Sequence, residues 1–104
     1  MDDIRAHTGT LVADLLLPHA ASLKERRGAL RSLVQKLRNL EFAVAQVGPA
    51  DLTQRVFLAV ADVSGSVSHL AVRLDAAERI ICASEFEVGA LQRDVTTWSE
   101  SSGE

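Results

Sequence analysis

Cysteine, proline and aromatic residues are scarce in this chain. Its 104 residues include one cysteine, two prolines, one tryptophan and no tyrosine, and aromatic residues make up only 4% of the total. The single cysteine, Cys82, excludes an internal disulfide and a cysteine-based zinc site, and its apolar neighbours predict that it fills the core. Because such a chain needs no oxidising compartment to fold, we expect it to be cytoplasmic.

Long apolar runs and ligand-like histidine spacings are also missing. The longest apolar stretch, around residues 15–17, is far shorter than the ~20 residues of a membrane-spanning helix. Residues 1–3 are acidic in character, unlike the start of a secretory signal. His7, His19 and His69 show no metal-ligand spacing, and no nucleophile elbow or glycine-rich phosphate loop is present. We therefore expect no membrane span, no metal or cofactor and no catalytic residue. We also expect that the protein is not an enzyme.

What the sequence does contain is enough apolar material for one core. Hydrophobic residues make up 47% of the chain, and the formal net charge is -3. A chain of this length supports a single domain and is too short for two. We expect a flexible arm over residues 1–8, one domain over 9–98 and a polar, disordered tail over 99–104.

Apolar periodicity and turn residues predict four strands and two helices. Strands are expected at about residues 10–17, 42–47, 55–63 and 86–95, and helices at about 23–39 and 67–81. The order βαββαβ is that of the ferredoxin-like α+β fold, a four-stranded antiparallel sheet with two helices on one face. Right-handed crossovers give the strand order 4-1-3-2.

The first helix combines a start signal with a concentration of positive charge. Ser22 and Glu25 have the spacing of a capping box, so the helix should begin at Leu23. Four basic residues share a sector of about 60° beside the apolar stripe of this helix: Lys24, Arg27, Arg31 and Arg38.

The predicted topology brings the start of this helix close to the loop between the second and third strands. A nucleic-acid or anion-binding site is therefore predicted from five residues: Lys24, Arg27, Arg31, Gln54 and Arg55. Two alternatives stay open. The basic helix face can be a solvated surface, and Arg55 can pair with Asp51 or Glu25 to fix the loop.

The side of the sheet away from the helices supports a second hypothesis. Strand alternation assigns apolar residues to that side, and we predict an interface for a homodimer or another protein partner from Val12, Leu16, Phe57, Ala59 and Trp98. The alternative is that the segment containing Trp98 folds back and covers this side. Asp14 is assigned to the same side, as a surface residue rather than a catalytic carboxylate.

Four segments resemble the YlxP-like family, catalogued as domain of unknown function 503. They are residues 22–27 (Ser-Leu-Lys-Glu-Arg-Arg), 44–47, 51–55 and 63–65, and the resemblance covers about residues 9–95. It implies a bacterial protein with a ferredoxin-like fold. Because members of the family are commonly encoded beside transcription and translation factors, it also implies a connection to the ribosome or to structured RNA.

This chain departs from the family pattern at several positions. Gln46 stands where the family usually has glutamate, Thr53 where tryptophan or histidine is common, and Gly28 interrupts a run of helix formers. Residues 91–94 lack the basic cluster of many relatives. These departures would suit a specialised paralogue.

Overall fold

The computed structural model describes residues 4–100. Its elements are β1 (Ile4–Leu16), α1 (Leu23–Asn39), β2 (Ala43–Val47), β3 (Arg55–Ser64), α2 (Val67–Cys82) and β4 (Glu87–Glu100). The strands form one antiparallel sheet in the order β2-β3-β1-β4. The predicted ferredoxin-like α+β fold and its strand order are therefore confirmed.

The core lies between the two helices and one face of the sheet. Strand alternation turns every second side chain of the central strands to this face, so that Leu11 and Leu15 of β1 and Leu58 of β3 are fully buried. The helices contribute stripes at three- and four-residue spacing: Leu30, Leu33 and Leu37 from α1, and Leu70, Leu74, Ala77 and Ile81 from α2.

Local hydrogen bonds fix both ends of α1. The Glu25 backbone N–H donates to Ser22 Oγ at 3.3 Å, and Glu25 Oε2 accepts the Ala21 backbone N–H at 3.0 Å. At the other end the Phe42 N–H donates to the Leu37 carbonyl, and Glu41 takes a left-handed φ of 68°. The second pattern is a Schellman motif with glutamate in the position that glycine usually takes. The predicted start at Leu23 is confirmed.

α2 lies over the centre of the sheet and is tied to it by ion pairs. Arg73 Nε donates to Asp62 Oδ2 of β3 at 2.8 Å, and Arg93 of β4 pairs with both Asp75 and Glu78. Helix α1 instead contacts β2, the short edge strand, and packs beside α2. This offset leaves the flank of α1 open toward the sheet edge.

The first and last strands of the chain, β1 and β4, are longer than the sequence indicated. Residues 4–8, expected to be an arm, extend β1, and β4 continues to Glu100 because its backbone pairs with β1 in a regular ladder. Trp98 lies opposite Ala6 in this ladder, so the idea that its segment folds back over the sheet is wrong. Residues 1–3 and 101–104, the rest of the expected arm and tail, lie outside the described residues.

The prediction that Cys82 fills the core is also wrong. Cys82 is the last residue of α2 and is exposed. It follows Ile81, the final residue of the buried stripe, and a step of one residue turns the side chain by about 100° around the helix axis. Apolar neighbours in the sequence therefore did not place the thiol inside.

Candidate functional site

A groove with a volume of about 290 Å³ runs between α1 and β2. One wall comes from successive turns of α1 and the other from β2, and the lining residues are Arg27, Leu30, Arg31, Val34, Arg38, Val44 and Gln46. Val44 and Gln46 lie two residues apart in β2, so both side chains point to the helix side of the sheet. The lining is apolar at its base and cationic along its rim, with no acidic side chain among these residues.

The guanidinium groups of the groove differ in their contacts. Arg38 Nη2 donates to the Val44 carbonyl of the edge strand at 3.3 Å. Within residues 4–100, neither Arg27 nor Arg31 has a hydrogen bond or an ion pair, and both side chains are exposed. Two arginines one helical turn apart therefore present free donors to the same groove.

The structure brings together only part of the predicted site. Arg27 and Arg31 line the groove, and Lys24 is exposed in the first turn of the same helix. Gln54 lies beside the start of α1 as expected, but its Nε2 donates to the Ala20 carbonyl at 3.2 Å. That hydrogen bond holds the β2–β3 loop against the segment before α1, which gives Gln54 a structural role.

Arg55 lies apart from the groove, on the other face of the sheet. Its Nε and Nη2 donate to the two carboxylate oxygens of Asp14 at 2.9 and 2.7 Å, and its guanidinium carbon lies 4.8 Å from the centre of the Phe57 ring. These hydrogen bonds lower the pKa of Asp14 from its ordinary value. The partner of Arg55 is therefore Asp14, rather than Asp51 or Glu25, and Asp14 is a residue of the sheet face as predicted.

Arg26 belongs to the core and is not available to a partner. It is 1% exposed, because its position in α1 falls on the same stripe as Leu30, Leu33 and Leu37. Its Nη2 donates to the Ala50 carbonyl at 3.0 Å, whereas Nε and Nη1 have no partner within the described residues. The charge count of α1 therefore overstates its surface charge by one residue.

Sequence reasoning missed both of the other polar residues of the groove, Arg38 and Gln46. The signal for both was available: Arg38 shares the basic sector of the helix, and Gln46 alternates with Val44 along β2. The prediction used the hairpin loop as the second wall of the site, but the structure uses the strand before the loop. Across residues 4–100, no three side chains of metal-ligating type come together, and neither helix is long and apolar enough to cross a membrane.

The fold and the groove together define a small ferredoxin-like domain with an arginine-lined groove beside an edge strand. The chain belongs to the family described as "Protein of unknown function (DUF503)", whose model matches residues 8–93. The resemblance to the YlxP-like family is thereby confirmed. A search of curated proteins finds no match to the sequence.

Two solved structures are similar to this chain at low sequence identity. One is a structural-genomics structure of protein YJCS, with 13% identity and a TM-score of 0.47, covering 84% of this chain and 96% of that one. The other is described as a novel heme-binding protein from Thermus thermophilus, with 18% identity and a TM-score of 0.47. It matches over 95% of this chain and 43% of that one. At these identities and scores neither similarity bears on the function of this chain.

Proposed function

We propose that this protein is a non-enzymatic, cytoplasmic binding module that associates with structured RNA, including ribosomal RNA, through the groove between α1 and β2. The observation that carries the proposal is the pair of unpartnered arginines, Arg27 and Arg31, on one rim of a groove without acidic side chains. A guanidinium group binds a phosphate through two parallel hydrogen bonds, and no carboxylate competes for these two groups.

The spacing of the arginines suits an extended polyanion better than a single phosphate. Arg27, Arg31 and Arg38 span roughly 16 Å along the helix axis at 1.5 Å per residue. One small anion cannot contact groups at both ends of such a row, whereas a nucleic-acid backbone presents phosphates at regular intervals. Gln46 adds an amide that can hydrogen-bond to sugar or base groups.

Binding through this groove should depend more on charge than on sequence. Phosphate contacts position a protein on nucleic acid but carry no base information, so we expect little sequence preference. The formal net charge of the chain is -3, which opposes approach to RNA at long range. We therefore expect modest affinity that falls steeply as salt concentration rises.

The matched test compares two double variants with equal loss of charge. Arg27→Gln with Arg31→Gln removes the free donors of the groove. Lys36→Gln with Arg79→Gln removes two cations elsewhere, since Lys36 lies about 180° around α1 from Arg27 and Arg79 is exposed on α2. Fluorescence anisotropy with an RNA hairpin and co-sedimentation with ribosomes measure binding at low salt.

We expect the groove variant to lose about tenfold or more in affinity and the control to stay within about twofold of wild type. Circular dichroism verifies that both variants are folded. Equal losses in the two variants would show a non-specific charge effect and would overturn the proposal. So would a wild-type protein that binds neither RNA nor ribosomes at low salt.

A further inference from the structure

The face of the sheet opposite the helices is mostly apolar, and we call it the open face. Register places the following side chains of the three strands β1, β2 and β3 on it: Thr10, Val12, Asp14 and Leu16 from β1, Ala43, Ala45 and Val47 from β2, and Arg55, Phe57, Ala59 and Ala61 from β3. β4 completes the face with more polar residues, among them Gln92 and Asp94. Val12, at the centre, is 37% exposed and lies directly opposite Ala59. The predicted neighbourhood of Val12, Leu16, Phe57 and Ala59 is therefore present, with Trp98 at the far end of β4.

We propose that the open face binds the open face of a second copy of this chain, forming a two-fold dimer with the two sheets packed face to face. The proposal does not depend on the function of the groove. Both helices lie on the other side of each sheet, so the two grooves would stay exposed on the outside of such a dimer.

The area of the open face reaches the lower limit for a specific dimer interface. Four strands about 4.8 Å apart and about nine residues long at 3.3 Å per residue give a flat area of roughly 500 Å² per copy. Two copies would bury about 1,000 Å² at least, because accessible surface exceeds flat area, and this reaches the size expected of a specific interface. Four small residues, Ala43, Ala45, Ala59 and Ala61, allow two sheets to approach to the usual separation of about 10 Å.

The distribution of charges on the open face is compatible with packing against the same face of a second copy. A patch with net charge near its centre would repel itself across a two-fold axis, since like charges would face each other. Here the central carboxylate, Asp14, is neutralised on the same chain by two hydrogen bonds from Arg55. Other charged side chains of this face, Glu87, Asp94 and Glu100, lie on the edge strand β4, where an interface has its polar rim.

The test measures molecular mass by light scattering at several concentrations. We expect wild-type protein to have twice the 11.2 kDa of one chain and to dissociate on dilution. Val12→Glu places an unpaired charge at the centre of the interface and should give a folded monomer. The control is Val72→Glu, an equal change at a residue of α2 that is 63% exposed and away from the open face; it should stay dimeric.

A second pair of variants keeps the test decisive if Val12→Glu fails to fold. Ala45→Glu changes an exposed residue of edge strand β2 on the same face, where folding does not depend on the side chain. Leu16→Glu adds a charge to the same face at the loop end of β1, and both variants should give folded monomers. A wild type that stays monomeric at high concentration would overturn the proposal and leave the face to another partner. Folded Val12→Glu or Ala45→Glu protein that stays dimeric would also overturn it.

Discussion

The two helices of this fold handle their charges in different ways. α1 carries six basic residues and the single acid Glu25, which is engaged at the helix start. α2 carries two basic and two acidic residues, and three of these four are paired with the sheet: Arg73 with Asp62, and Asp75 and Glu78 with Arg93. The paired charges of α2 thus hold the helix to the sheet. Arg27 and Arg31 of α1 form no ion pair with any residue that the structure describes.

This difference follows from where the helices sit. α2 lies over the centre of the sheet and contacts β1, β3 and β4, so its flanks have strand side chains within reach. α1 lies over the edge strand β2, which has only five residues, four of them apolar, and offers no acid. A helix at the edge of a sheet therefore has one flank that the rest of the fold does not cover. We propose that RNA binds at this flank of α1.

The close contact of α2 with the sheet gives the largest expected effect. A Cβ at Gly9 of β1 would lie 2.5 Å from Leu74 Cδ1, and Leu74 is fully buried in the core. Gly9→Ala should therefore lower the free energy of unfolding by roughly 1–3 kcal/mol, measured by chemical denaturation. Shortening the neighbour with Leu74→Val should recover part of this loss in the double variant. A neutral Gly9→Ala would contradict this prediction and show that the Leu74 side chain or α2 can move away from β1 at no cost.

The start of α1 gives the next largest effect. Ser22→Ala removes the acceptor of the Glu25 N–H and should cost roughly 0.5–2 kcal/mol, measured by thermal or chemical unfolding. Ser32→Ala, the same change at an exposed position inside α1, should be neutral or slightly stabilising because alanine is the better helix former. Similar losses in both variants would mean that the cap does not determine the helix start.

The exposed side of α1 gives a small effect of opposite sign. A Cβ at Gly28 would meet no atom within 4 Å, in contrast to Gly9. Gly28→Ala should therefore raise the free energy of unfolding by up to about 1 kcal/mol, since glycine inside a helix costs about that much relative to alanine. Denaturation beside wild type measures the gain. A loss of stability would indicate that another element packs against this side of α1.

The order of elements and their core faces could be predicted from local signals. Neighbouring residues determine the local conformation at the Ser22–Glu25 cap, along the leucine stripe of α1 and at the Gly48–Pro49 turn. The strand order followed from the handedness of the crossover connections. The lengths of β1 and β4 could not be predicted in this way. Residues 96–100 are exposed and, apart from Trp98, polar, and their strand conformation comes from backbone pairing with β1, which leaves no apolar alternation in the sequence.

The candidate site could be predicted only in part for a related reason. Helical periodicity placed Arg27, Arg31 and Arg38 on one flank. The same periodicity puts Arg26 on the leucine stripe, but a charged residue is seldom expected in the core, and Arg26 was counted with the basic residues of the surface. Arg55 was assigned to the site by its closeness in the chain to the hairpin loop. Strand alternation turns its side chain to the open face, where Asp14 is the nearer partner.

The most direct test of the account is the salt dependence of RNA binding. The logarithm of the affinity for an RNA hairpin is measured against the logarithm of salt concentration for wild type, the Arg27→Gln/Arg31→Gln variant and the Lys36→Gln/Arg79→Gln control. If two phosphate contacts are lost, the slope of the groove variant should be shallower than that of wild type by about 1.4–1.8, while the control keeps the wild-type slope. Equal slopes for the groove variant and wild type would contradict the assignment of the groove as the phosphate-binding site.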